Sequence, residues 1–511
     1  MKWLLNIASN YLRFIAALLV MALMTPYMIR TIGVDMYGLW ILVYSAIGLI
    51  GLSDLGFATA AVKFIAEQSA PEQATRRNEL VGSLLLTYSA IGIFCAVIVL
   101  GLDALDWVPG GISVGRDIFL LLGLTTALCM VFSVFRAVII ASGQQALLNV
   151  VTLVVIVSQA LATWILLESG YGIMGLAWAS CLGMLLQALV CIPMCWHLLE
   201  DFSPRLSDQW RQDIRRIANF SVWAFLANGA FLLVLRIDPF IVEAWLTLEA
   251  VAVLAIALKI AEQILLFNKQ FSNALMPLIS QQHGRGEVAE PAQVFKLGTK
   301  YLLAFAAPFT LLTAVSAGSL IQTWVGNDMV AAAPLLQILC VASLLSTMQF
   351  NAANLLGMTG HARYVGLSML GSAATKILVT LLAFHYLGML TCAVGTLLGA
   401  ALFECFANLR KACQLSGESL PMFLWRAIAP GIISCLPFVN ISHTLNQASQ
   451  HSLDLPMLLV VNGLAGLASL LVFYGFFVTK DERQWLHSLV RKPAPITKTQ
   501  ETSPCQLSTN L

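Results

Sequence analysis

The chain has 511 residues, of which 59% are hydrophobic and only 11% carry a formal charge, against roughly 25% in soluble domains. A mean hydropathy of +0.84 and a net charge of +2 exclude an ordinary soluble protein and leave no basic surplus for nucleic acid. The composition is that of an all-α polytopic membrane protein.

The first element is a helical hairpin over residues 11–67. An apolar run from Phe14 to Ile29 carries Thr25 and Pro26 near its end. A turn segment with Arg30, Gly33, Tyr37 and Gly38 follows, then a second apolar run from Leu39 that is interrupted between Gly51 and Gly56 before Lys63 and Glu67. Each run approaches the roughly 20 residues that a helix needs to cross a bilayer, and the joining segment has the glycine and charge that end helices at an interface. Pro26 is a candidate hinge. Asp54 lies in the interruption, where a carboxylate facing lipid costs about 2.5–3.5 kcal/mol, so it should face protein or water. Lys2 and Arg13 precede a run too long for a signal peptide and without a small-residue cleavage site, which predicts a retained first span.

Apolar runs predict about fourteen spans, near 11–30, 37–59, 80–101, 117–140, 146–167, 173–196, 218–242, 250–276, 300–322, 333–356, 365–387, 389–409, 427–445 and 456–478. With both termini cytoplasmic, the inside segments collect Arg76, Arg77, Arg205, Arg211, Arg215, Arg216 and most later basic residues, and the outside keeps essentially Arg30 and Arg116, a bias of roughly twenty to two. No exterior loop exceeds about twenty residues, which leaves no room for a soluble catalytic domain.

An internal repeat is visible. Ala141-Ser142-Gly143-Gln144 is followed by Tyr171-Gly172, and Met358-Thr359-Gly360-His361 is followed by Leu387-Gly388, at an offset close to 217 residues. Duplication of a six-span unit explains this; chance likeness between small-residue turns, which are common in lipid, is the other explanation. The expected organisation is a lobe over 1–204, a second pseudo-symmetric lobe over 205–416 around a central cavity, two appended spans over 417–479, and a disordered cytoplasmic tail over 480–511.

Ionisable residues inside spans are the candidate site. Span seven carries Arg236, Asp238 and Pro239, which suggest a cation facing a cavity beside a second hinge; Arg236 snorkelling to headgroups is the competing reading. Span eight places Lys259, Glu262 and Lys269 near one face, either as cavity lining or with Lys259 and Glu262 paired at i, i+3. Lys376 stands alone in span eleven, where a solvated interior is cheaper than lipid exposure. Asp54, Asp238 and Glu262 are candidates for ion coupling, with structural pairing as the alternative. The eleven cysteines mostly sit singly in apolar runs, and Cys191, Cys195 and His197 lack a fourth ligand, so neither a disulfide framework nor a metal site is expected. No phosphate loop, zinc-protease motif or nucleophile elbow occurs, and no cofactor is implied.

The hairpin with Pro26, Ile32-Gly33, Tyr37-Gly38, Asp54-Leu55-Gly56 and Lys63 to Glu67, together with the Ser142-Gly143-Gln144 turn, resembles the polysaccharide flippases (Wzx-like) of the multidrug/oligosaccharidyl-lipid/polysaccharide (MOP) exporter superfamily. The resemblance implies a monomeric, multi-pass bacterial inner-membrane protein that moves polyprenyl-diphosphate-linked oligosaccharide from the cytoplasmic to the periplasmic leaflet by alternating access, among membrane lipids and other polysaccharide assembly proteins. Cavity cations would meet the diphosphate, the candidates being Arg236, Lys259, Lys269 and Lys376. A drug/cation antiporter of the related multidrug (MATE) branch would need an acidic cavity, and a membrane glycan polymerase or ligase a large periplasmic loop.

Overall fold

The structure is a computed structural model that describes residues 2–51, 57–68, 71–106, 109–199, 201–284, 289–448, 454–479 and 482–483. Asp54 and, apart from 482 and 483, the predicted tail lie outside these residues.

Every regular element among the described residues is helical. The first half comprises α1 (Lys2–Ile32), α2 (Val34–Ile50), α3 (Phe57–Glu67), α4 (Ala74–Ala104), α5 (Ser113–Ala141), α6 (Gln145–Glu168) and α7 (Gly172–Leu198). The second half has α8 (Trp210–Arg236), α9 (Asp238–Trp245), α10 (Leu248–Gly284), α11 (Ala289–Val315), α12 (Ala317–Val325), α13 (Ala333–Met358), α14 (Ala362–Leu387) and α15 (Leu390–Gly399). A π-helical stretch, Ala400–Ala407, joins α15 to α16 (Asn408–Ser416). The short α17 (Leu420–Phe423) leads through Leu424–Ile428 into α18 (Ala429–Ala448), and α19 (Leu455–Phe477) completes the bundle.

Twelve helices among the described residues are long and apolar enough to cross a membrane. The other two predicted spans fall on α2, a shorter apolar helix, and on the α8–α9 pair, where the chain breaks. The expected kink at Pro239 takes a different form. The helix ends at Arg236 and restarts at Asp238, so Pro239 sits in the first turn of α9, where its missing N–H costs no hydrogen bond. Pro26, by contrast, lies inside a continuous α1. Having no N–H, it leaves the carbonyl of Ala22 without its intrahelical donor. Trp324 of α12 fills that gap, its Nε1 donating to Ala22 O at 2.7 Å.

The two repeated turns close alike. Gly143 and Gly360 both take positive φ, 73° and 85°, and the next residue in each case bonds back five positions, Gln144 N to Ile139 O at 3.2 Å and His361 N to Leu356 O at 2.8 Å. Only glycine enters that left-handed conformation without steric cost.

Packing differs between the two ends of the bundle. At the end carrying the Gly33 turn, one apolar core draws on both halves: Tyr37, Trp40 and Val43 of α2 lie with Val251, Leu254 and Ala257 of α10 and with Ile321 and Val325 of α12. The helices touch closely there, since a Cβ on Gly38 would stand 1.9 Å from the Leu248 carbonyl oxygen. At the Gly143 end the cores are separate. Phe64, Leu84, Val138 and Cys195 form one, with Ile217 from the start of α8, and Phe295, Leu303, Leu409 and Phe423 form another.

Candidate translocation cavities

Arg236 ends α8 and is three-quarters buried against α2, its side chain running over Gly48, where a Cβ would come within 3.6 Å of it. Its guanidinium pairs with Glu262 of α10 at 3.3 Å and lies 6.0 Å from the Tyr44 ring. Arg236 lines a cavity of about 350 Å³ together with Tyr44 and Gly48 of α2, Ser133 and Arg136 of α5, and Gln187 of α7. Two guanidinium groups therefore share one largely apolar space reached from the first half of the protein.

Glu262 lines a different cavity, of about 230 Å³, inside the second half, with Lys269 of α10, Ser346 and Gln349 of α13, Lys376 of α14 and Glu404. The Arg236–Glu262 pair thus stands in the wall between the two spaces. Lys269 lies 4.6 Å from the Phe231 ring centroid, a cation–π contact that offsets part of its desolvation. Glu404 sits on the π-helical stretch and accepts hydrogen bonds from Ser346 Oγ at 2.7 Å and Ser372 Oγ at 2.8 Å. π-Helical turns recur at functional sites because the extra residue redirects a side chain.

Two expected pairings differ in the structure. Lys259 does not pair with Glu262; its Nζ donates to Tyr37 Oη at 2.7 Å and to Thr25 Oγ1 at 3.4 Å, tying α10 to α1 and α2. Glu262 prefers Arg236 because the end of α8 passes beside it, a contact that spacing along α10 cannot reveal. Lys376 is neither solvated nor facing lipid. It is buried, donates to the Val234 carbonyl, and pairs with Asp238 at 2.7 Å. Burial of two opposite charges together avoids the much larger cost of burying either alone.

Of the anticipated residues, the structure gathers Arg236 at one cavity and Glu262, Lys269 and Lys376 at the other, and keeps Lys259 apart from both linings. Asp54 lies outside the described residues. Arg136 and Glu404 were missed. Both carry the signal of an ionisable side chain inside an apolar run, which marks a functional candidate by itself. Among the described residues no cluster of three His, Cys, Asp or Glu side chains could hold a metal ion.

A family model described as polysaccharide biosynthesis protein matches residues 1–283. No curated protein matches the sequence. Among solved structures, the lipid II flippase MurJ in an inward closed conformation aligns with 94% of this chain and 100% of its own, at 11% identity and a TM-score of 0.70. An inward-facing multidrug resistance MATE family transporter aligns with 80% of this chain and 99% of its own, at 15% identity and a TM-score of 0.61. A MOP superfamily transporter from Pyrococcus furiosus aligns over 81% and 96%, at 15% identity and a TM-score of 0.57. At these identities the likeness is one of fold.

Proposed function

Because the chain belongs to the polysaccharide biosynthesis protein family and has the fold of MOP flippases and transporters, we propose that it translocates polyprenyl-diphosphate-linked oligosaccharide from the cytoplasmic to the periplasmic leaflet in surface polysaccharide synthesis. It is a multi-pass membrane transporter rather than a catalyst. The observation that carries the substrate assignment is the shared cavity of Arg136 and Arg236. Planar guanidinium groups in a space of reduced dielectric bind diphosphate oxygens by charge-assisted hydrogen bonds, which are stronger and more directional than a lysine's contacts.

In this reading the charge of Glu262 holds Arg236 in place while the cavity is empty and yields it to the incoming diphosphate. Lys269 in the neighbouring cavity is a second cation for the polar headgroup, and the lipid tail stays in the bilayer. The Gly33 end is periplasmic, so the conformation described is closed outward, and the halves 1–204 and 205–416 rock about that joined end, with Pro26 and the α8–α9 break before Pro239 as flexing points. The basic-residue bias supports cytoplasmic termini, and the family resemblance supports an inner-membrane location.

The drug/cation antiporter reading requires acids available to a cationic substrate. Here Asp238 and Glu262 are each matched by a basic partner, which favours the anionic substrate. Cells producing Arg136→Glu or Arg236→Glu protein at wild-type levels should lose surface glycan and accumulate lipid-linked oligosaccharide on the cytoplasmic leaflet. Normal glycan in both would remove these arginines from the mechanism, and drug sensitivity with normal glycan would favour the antiporter.

A further inference from the structure

Arg77 occupies an unusual position at the Gly143 end of the first half. It is on the first turns of α4 and only 7% exposed. Its Nε has no hydrogen-bond partner, and no ion pair to it occurs among the described residues. Its neighbours in sequence are otherwise engaged: Arg76 pairs with Glu79 and Asp213, and Asn78 Nδ2 donates to Asp201 O at 2.6 Å. A buried guanidinium nitrogen without a hydrogen-bond partner among the described residues is costly, and an anionic ligand from outside the chain would satisfy it.

The space beside Arg77 fits such a partner. It is a pocket of about 380 Å³ bounded by Ile65, Leu198, Leu199 and the turn Ser142 to Gln144. That turn delivers the N-terminus of α6, a helix of 24 residues whose N-cap residue, Gln144, makes no side-chain capping hydrogen bond. The partial positive charge of a helix N-terminus therefore adds to that of the arginine on one side of the pocket. Gly143, with φ 73°, is exposed and has no atom within 4 Å of its missing Cβ, so the backbone there is open to a ligand. Apolar walls from Ile65 and Leu199 lower the local dielectric and strengthen attraction for an anion.

We propose that Arg77 and the Ser142-Gly143-Gln144 turn form a binding site for a phosphate-type anion, separate from the two cavities described above and independent of the substrate they carry. The anion is supplied either by the headgroup of an anionic lipid or by free phosphate. The site would clamp α4 to the α5–α6 turn, and the residues that give the sequence its Ser-Gly-Gln signature would then serve anion binding as well as chain reversal.

The test uses the full-length protein and reads melting temperature. In detergent, inorganic phosphate replaces chloride at constant ionic strength; in nanodiscs, phosphatidylglycerol replaces part of a phosphatidylcholine bilayer. Free phosphate as ligand predicts a concentration-dependent rise of several degrees in the first arm, and a lipid headgroup predicts the rise only in the second. In either case Arg77→Gln should abolish the response. Gln144→Glu places a negative charge in the pocket and should fold, melt higher than wild type without added anion, and respond to neither ligand, which keeps the test decisive should Arg77→Gln fail to fold. Wild-type protein indifferent to both ligands overturns the proposal, as does a response that survives in Gln144→Glu.

Discussion

Lys376 Nζ lies 2.7 Å from Asp238 Oδ2, and the two side chains are only 2% and 0% exposed. Asp238 is the first residue after the break between α8 and α9, and Lys376 also caps the Val234 carbonyl at the end of α8. One ammonium thus holds both sides of the break to α14. Removing either partner strands a charge at a site closed to water. Lys376→Met or Asp238→Leu should each destabilise the protein by about 3–5 kcal/mol, while the double variant Lys376→Met, Asp238→Leu should recover most of that loss. Thermal unfolding in detergent measures this, and additive single-variant effects would contradict it.

Pro26 and Trp324 should be coupled. Trp324→Phe leaves the Ala22 carbonyl without a donor and should cost about 1–3 kcal/mol. In a Pro26→Ala background α1 supplies its own N–H to that carbonyl, so the same substitution should cost markedly less. A double-mutant cycle on melting measurements reads the difference.

Gly38 sets the distance between α2 and α10 at the joined end. Gly38→Ala must push a Cβ into backbone, because the nearest atom is the Leu248 carbonyl oxygen rather than a side chain that can move. The expected cost is about 1–3 kcal/mol, together with a loosened seal. A cysteine at Ile321, fully buried in the shared core, should react with a polar thiol reagent in the Gly38→Ala protein and stay protected with Gly38 intact.

Glu404 accepts two serine hydroxyls in the membrane interior, and it is 8% exposed. Glu404→Leu should destabilise by about 1–3 kcal/mol by leaving those donors without an acceptor, and adding Ser346→Ala and Ser372→Ala should restore stability. Glu404→Gln keeps an acceptor and should melt close to wild type. Its transport phenotype then separates a structural role from a functional one.

Much of this fold was legible in the sequence. The spans emerged because a bilayer demands long apolar runs, and the turns at Gly143 and Gly360 because left-handed backbone selects glycine. The break at Ile237 was half legible: Pro239 pointed to the right place, but a proline in a helix interior and one in a first turn look alike until the neighbouring hydrogen bonds are known. The π-helical stretch around Glu404 left no pattern at all, since its residues are ordinary apolar ones apart from the carboxylate.

By itself the sequence determined that this protein lies in the membrane and where its long apolar helices run, because hydropathy and glycine placement act locally along the chain. Only the tertiary structure decided which charges meet. Arg236 with Glu262, Lys376 with Asp238 and Lys259 with Tyr37 each join different helices, and in a medium that offers no water the partner is whatever group packing brings within reach. Which cations stay available to a ligand is therefore a property of helix packing, and no spacing along a single span contains it.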